Sequence, residues 1–141
     1  MIIMSVDYGD VRTGIAVSDR LETYAFPVEV INESYQPKVI SRIVSIISLK
    51  NPDIIVVGYP KNMDSSEGSR AQKCKEFAEE IERKSGIECV LWDERLTTVS
   101  AHNYLNATNT RGKKRKEVVD AVAATIILQD YLDYRRNKNA R

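Results

Sequence analysis

Residues 54–57 read Ile-Ile-Val-Val, with Asn51-Pro52-Asp53 before them and Gly58 soon after. The four side chains are all β-branched and show no alternation of apolar with polar. A strand that is apolar on both sides needs cover on both sides. That is the mark of an inner strand in a sheet with helices on both faces. This argues against a helix bundle, and against an antiparallel sheet with one face in water.

The rest of the chain sorts around that strand by period. Residues 2–6 (IIMSV) form a short strand ending at Asp7. Residues 14–18 (GIAVS) form a second after the turn DYGDVRT, which reads as a hairpin. A third strand over Phe26–Ile31 starts beside Pro27, which suits an edge or a strand entrance. Val39, Ile40, Ile43, Ile46 and Ile47 recur at helical spacing, so 36–50 is an amphipathic helix stopped by Asn51-Pro52. Ser69 with Gln72 three residues on predicts a capping box for a second helix. Its inner face is Ala71, Cys74, Phe77, Ala78 and Ile81, and Gly86 ends it. Residues 87–92 (IECVLW) form a fifth strand closed by Asp93-Glu94-Arg95. Thr97 or Thr98 caps a short helix to Leu105, residues 106–116 read as a polar basic loop, and a last helix runs from Glu117 to Tyr134. The order β-β-β-α-β-α-β-α-α predicts one α/β domain over 1–141, with an antiparallel flank and parallel inner strands.

The chain's 141 residues are 43% apolar and 29% charged. A domain of this size buries roughly two-thirds of its unfolded surface and needs no covalent staples. No apolar run exceeds four residues, far below the roughly 20 of a membrane helix. The opening MIIMSVDYGD lacks the basic flank of a signal peptide. A cytoplasmic protein with no membrane partner is expected. Two cysteines, Cys74 and Cys89, and one histidine, His102, are too few for a disulfide framework or a zinc site. The cysteines read as packing residues and His102 as a surface residue. Chemistry must then rest on carboxylates, hydroxyls or a metal.

Those carboxylates fall in telling places. Asp7 ends the first strand, and Asp93 and Glu94 end the fifth. Ligands of open α/β sheets gather outside the carboxyl ends of strands. Asp120 shares a helical stripe with Ala123, Ala124, Ile127 and Tyr131. A carboxylate on an inward stripe costs several kcal/mol without a partner. Lys116, four residues earlier, is one candidate partner and a cation held by several acids is the other. Clustered carboxylates repel without a counterion, and an all-oxygen set suits Mg²⁺ or Mn²⁺. Alternation along 87–94 puts Asp93 and Glu94 on opposite faces, so one of the two points at the metal.

Four ordered blocks, DYGDVRTGIAVSD (7–19), VVGYPKNMDSSEG (56–68), WDERLTTVSA (92–101) and KEVVDAVAATIILQDYL (116–132), resemble the YqgF family over nearly the whole chain. Its members are also called RuvX, are described as Holliday junction resolvases, and are similar to the RuvC resolvases. The resemblance implies a ribonuclease-H-like fold: a five-stranded mixed sheet, an antiparallel three-strand meander plus parallel strands, flanked by helices. It matches Asp7, Glu94 and Asp120 to the family's catalytic acids, and it favours Glu94 over Asp93. It implies hydrolysis of phosphodiester bonds with two metal ions about 3.5–4 Å apart. The implied role is processing the 5′ end of the precursor of 16S ribosomal RNA. Ser65 stands where the family has Gly, and Ser100 where many members have an acid; neither touches the three acids.

Nucleic acid is the expected partner, RNA before branched DNA. Residues 1–110 hold 12 basic and 16 acidic side chains, net −4, and 111–141 hold 9 and 4, net +5. A basic end on an acidic body suggests one localised polyanion contact. Arg12 and Arg95, close to Asp7 and Glu94 in the chain, can each grip a phosphate or pair with an acid. In RGKKRK (111–116), Lys113, Lys114, Arg115 and Lys116 stand just before the Asp120 helix and are candidate phosphate contacts. Tyr8 and Tyr59 adjoin strand ends, where they can stack a base or pack into the core. Asn62, Ser65 and Ser66 can hydrogen-bond substrate or cap the loop, and capping is the plainer reading. No helix shows a clear second apolar face for a two-fold interface, so a monomer or weak homodimer is expected. A kinase- or ATPase-like module is the competing reading of Asp-x-Gly after a first strand. It needs a second domain to close over a nucleotide, and no GxxxxGK[ST] is present. A non-catalytic nucleic-acid-binding scaffold would tolerate loss of one of the three acids, and all three are present.

Overall fold

The computed structural model describes residues 1–59, 68–93 and 112–139, with side chains described outside 112–121 and 139. Strand β1 (Ile3–Asp7) lies in the middle of a five-stranded mixed sheet. On one side it pairs antiparallel with β2 (Arg12–Ser18), which pairs antiparallel with β3 (Ala25–Asn32). On the other it pairs parallel with β4 (Ile54–Tyr59), which pairs parallel with β5 (Glu88–Asp93). Helix α1 (Gln36–Lys50) follows β3, α2 (Ser69–Ser85) joins β4 to β5, and α3 (Gly112–Asn139) comes last. This is the mixed sheet and the element order the sequence predicts. The short helix expected at 97–105 and the loop residues 60–67 lie outside the described residues.

Strand β4 behaves as its composition requires. Ile55 and Val57 join Met4, Val6 and Ile15 in a core closed by α1 and α2 through Val39, Ile40, Ile43, Phe77 and Ile81. Ile54 and Val56 join Ile3 and Ala16 in a second core closed by α3 through Ala124, Ile127, Leu128, Tyr131 and Leu132. Each buried Ile, Val, Leu, Met or Phe side chain among these gains about 1.5–3 kcal/mol by leaving water. A charge in any of the four places would therefore break one of the two layers. Leu128 of α3 is fully buried core. Trp92 extends the second layer over β5, edge-on to Tyr131 at 5.6 Å between centroids and tilted against Tyr134 at 5.5 Å.

The helix ends show where local signals act. Asn51 closes α1 in the left-handed region (φ 50°) and Gly86 closes α2 likewise (φ 74°), each donating its N–H to the carbonyl four residues back. The start of α2 differs from expectation. Gly68 is the N-cap and Ser69 the first helical residue, with no side-chain cap bond, so the Ser69–Gln72 pair does not form a capping box. The last helix begins at Gly112, not Glu117. Lys and Arg are good helix formers, so a basic run gives no reason for the backbone to leave the helix. Pro27 lies in the edge strand β3, beside a register shift opposite Ile15/Ala16, where its missing N–H removes no inner ladder bond.

The C-terminal half of α3 is tied to the end of the sheet where β3 starts. Gln129 accepts from the Ala25 N–H and donates to the Thr23 carbonyl, both at 3.0 Å. Arg135 Nε donates to Glu22 at 2.7 Å. Burial raises the Glu22 pKa, but hydrogen bonds from Arg135 and the N-terminal amine outweigh it and hold the carboxyl below its usual range. With its tail fixed there, α3 runs antiparallel to β1, and its N-terminal turns lie toward the carboxyl ends of β1, β4 and β5.

Candidate active site at the carboxyl end of the sheet

Asp7 is the last residue of β1 and is half-buried. Its cross-strand partner in β2 is Gly14, so no side chain stands directly opposite the carboxylate. Ile3 packs into the α3 core, and Ser5 donates its hydroxyl to the carbonyl of Ala124 in α3 at 2.6 Å. Strand alternation then puts Asp7 on the α3 face. Position 120 lies one turn before Ala124. Two strand residues advance about 6.6 Å and four helical residues about 6 Å. Since the two elements are antiparallel, positions 7 and 120 move from the Ser5–Ala124 bond by nearly equal steps toward the same end.

β5 reaches that end as well. Asp93 is its last residue and pairs with Tyr59 of β4. Cys89 and Leu91 pack toward α1 and α2, while Val90 and Trp92 pack toward α3. Alternation therefore assigns Asp93 to the face away from Asp7. Glu94 and Arg95 lie outside the described residues. So Asp7 and position 120 share a face and an end, and Asp93 does not share the face. Among the described residues no three Asp, Glu, His or Cys side chains gather into a metal site.

The basic candidates separate. Arg12 begins β2, two residues before Gly14 and on the same side of the pleat, so it too belongs to the α3 face. Lys113, Lys114, Arg115 and Lys116 lie in the first turns of α3, in a helix and not in the expected loop. Asn62, Ser65, Ser66, Ser100 and His102 lie outside the described residues.

Tyr8 takes the packing role, while Tyr59 is half-buried at the end of β4. Tyr8 stacks on Phe77 with centroids 4.0 Å and planes 5° apart, and Tyr59 lies 6.0 Å below the Lys75 ammonium. Cys74 is buried. Cys89 of β5 packs on the α1/α2 side of the sheet, and burial, with the nearby charges of Glu82 and Glu88, pushes its thiol up to about 12. Neither is a reactive thiol.

One residue near this end carries no sequence signal. Arg70, in the first turn of α2, donates to Asp10 at 2.6 Å and to the carbonyl of Tyr8. Its partners lie sixty residues and more away, and no periodicity announces such a contact.

Comparison with known proteins bears on the family and the fold. A family model described as "RuvX: Holliday junction resolvase" matches residues 1–134. A protein of Agathobacter rectalis named "Putative pre-16S rRNA nuclease" is 44% identical over 143 residues, covering 99% of this chain and 100% of its own. One of Carboxydothermus hydrogenoformans with the same name is 41% identical over 139 residues, covering 99% and 100%. Among solved structures, Thermus thermophilus RuvC in complex with Holliday junction substrate superposes with a TM-score of 0.63 at 12% identity, over 97% of this chain and 96% of that one. The fowlpox virus Holliday junction resolvase gives 0.60 at 13%, over 96% and 99%. At such identities the likeness is one of fold, the ribonuclease-H-like fold of RuvC-type resolvases.

Proposed function

The chain belongs to the RuvX family, and from that premise we propose that it is a divalent-metal-dependent nuclease acting in the cytosol on the 5′ end of precursor 16S ribosomal RNA. In coarser terms it is a hydrolase of nucleic-acid esters. The observation that carries the proposal is the Ser5–Ala124 hydrogen bond, which sets β1 and α3 in register and sends positions 7 and 120 to one end of one face.

The donor set suits a hard cation. Asp7, Glu94 and Asp120 would supply carboxylate oxygens only, and the thiol of β5, Cys89, is held protonated on the other face. A bound Mg²⁺ or Mn²⁺ pair would supply an activated water and neutralise charge on the leaving oxygen. The chain's own residues do the rest. Asp7 presents its carboxylate from the central strand, whose neighbours on both sides limit its movement. Gly14 leaves the space beside it free of a cross-strand side chain. Arg12 and Arg95 are the candidate grips for the phosphates flanking the scissile bond. Lys113, Lys114, Arg115 and Lys116 supply the sequence-independent attraction that draws a polyanion to the acids.

The test is a side-by-side cleavage assay in Mn²⁺ at equal salt, with labelled precursor RNA, single-stranded DNA and a four-way DNA junction. Saturable, metal-dependent cleavage of the RNA is expected. Paired symmetric nicks in the junction by a stable dimer, with the RNA intact, would make the protein a junction resolvase. Tight binding without cleavage of any of them would make it a binding module.

A further inference from the structure

Tyr8 follows Asp7 and faces the opposite way, and it is held from three directions. Its ring is stacked on Phe77 of α2. Its hydroxyl accepts a 3.2 Å hydrogen bond from Gln36 Nε2 at the start of α1. Its carbonyl accepts from Arg70 Nη2, while Nη1 of the same guanidinium holds Asp10 at 2.6 Å and the guanidinium carbon lies 5.1 Å from the Tyr8 ring centroid. Arg70 thus bridges α2 to the two residues that flank Gly9 in the hairpin turn. Asp10 is 73% exposed, so the ion pair alone contributes little. What the arginine adds is geometry. Its planar fork fixes a backbone carbonyl and a carboxylate at once in one rigid geometry, which a lysine's freely turning ammonium holds less firmly.

We propose that Arg70, acting through Tyr8, is a positioning residue for Asp7. The clamp fixes the peptide just after Asp7 on the α1/α2 side of the sheet, and so fixes the direction in which β1 presents the carboxylate on the α3 side. This rests on the reading of Asp7 as a metal-binding acid. The competing role for an arginine at this end of the sheet is direct phosphate contact. Two of its donors are already taken by acceptors within the chain, which favours the clamp.

The experiment compares Arg70→Gln, Arg70→Lys and the milder Asp10→Asn with the parent. Arg42→Gln, which breaks a two-pronged pair with Glu29 on α1 and β3, serves as the control for loss of an exposed ion pair. Two readouts are taken: Mn²⁺ binding to the protein alone by calorimetry, and kcat and KM for RNA cleavage. Loss of a group that orients a metal ligand typically costs about 10- to 100-fold in metal affinity or activity. Arg70→Gln is expected to weaken Mn²⁺ binding and lower kcat by that order while KM holds. Arg70→Lys should recover part of the loss, Asp10→Asn should show a smaller loss of the same kind, and Arg42→Gln should show none. Should Arg70→Gln fail to fold, Arg70→Lys and Asp10→Asn carry the test. A rise in KM alone, with Mn²⁺ affinity and kcat unchanged, would overturn the proposal and make Arg70 a phosphate contact. A parent protein that binds Mn²⁺ but cleaves nothing would remove the nuclease reading while the calorimetry still decides the clamp. A parent that binds no Mn²⁺ would remove both.

Discussion

Ser5 and Ala124 are joined by a buried 2.6 Å hydrogen bond from the serine hydroxyl to the helix carbonyl, across 119 residues of sequence. Ser5 is fully buried, so its hydroxyl has no water to turn to. Replacing it with alanine removes both the donor and the pin that sets α3 against β1. Ser5→Ala should cost about 1–2 kcal/mol, read from denaturant unfolding. It should also slow cleavage, because the two acids would lose their shared register. Unchanged stability with full activity would show that apolar packing alone sets the register.

Asp7→Asn, Glu94→Gln and Asp120→Asn should each lower the cleavage rate by about 10³-fold or more, roughly 4 kcal/mol of barrier. Thermal unfolding should hold or rise in the absence of metal, since removing a charge relieves repulsion among clustered carboxylates. A variant that folds and cleaves at near-normal rate would strike its residue from the site.

Converting Lys113, Lys114, Arg115 and Lys116 to serine should weaken nucleic-acid binding more than it slows chemistry at saturation. The slope of log K against log salt should flatten by about 0.7 for each single-strand phosphate that the variant no longer neutralises. The measurement is a salt titration of binding. A slope equal to the parent's would mean that the first turns of α3 face solvent in the complex.

Thr13 of β2 is fully buried, and its hydroxyl finds no hydrogen-bond partner among the described residues. An unsatisfied buried hydroxyl costs about 1–3 kcal/mol relative to an apolar group of the same shape. Thr13→Val should therefore raise the unfolding free energy by about 1 kcal/mol, seen as a higher denaturant midpoint at unchanged slope. A fall in stability would show that the hydroxyl is hydrogen-bonded after all.

The two-sided β4 strand is legible in the sequence because four β-branched residues in a row permit little else. The two cores divide Ile54 and Val56 from Ile55 and Val57 as that reading requires. Asp7 is legible because a lone acid after IIMSV marks a strand end. The convergence of Asp7 with position 120 is only partly so. Helical spacing gives the stripe, but the bond from Ser5 to Ala124 that sets its height is long-range. The start of α3 escapes a reading by composition, because a polar, basic run suggests a loop although lysine and arginine favour the helix. Arg70 is invisible for a different reason: its side chain meets Tyr8 and Asp10 only once α2 has packed beside the hairpin.

Gly9 stands between the Tyr8 and Asp10 ends of the Arg70 clamp, and a Cβ at that position would collide with the carbonyl oxygen of Arg12. The reason is proximity and not an unusual backbone angle, so no choice of rotamer relieves it. In a library randomised over the turn from Tyr8 to Val11 and selected for activity, position 9 should return glycine alone. The solvent-exposed Val11 should drift freely. The hairpin would then be a place where evolution can change what the turn displays but not how tightly it closes.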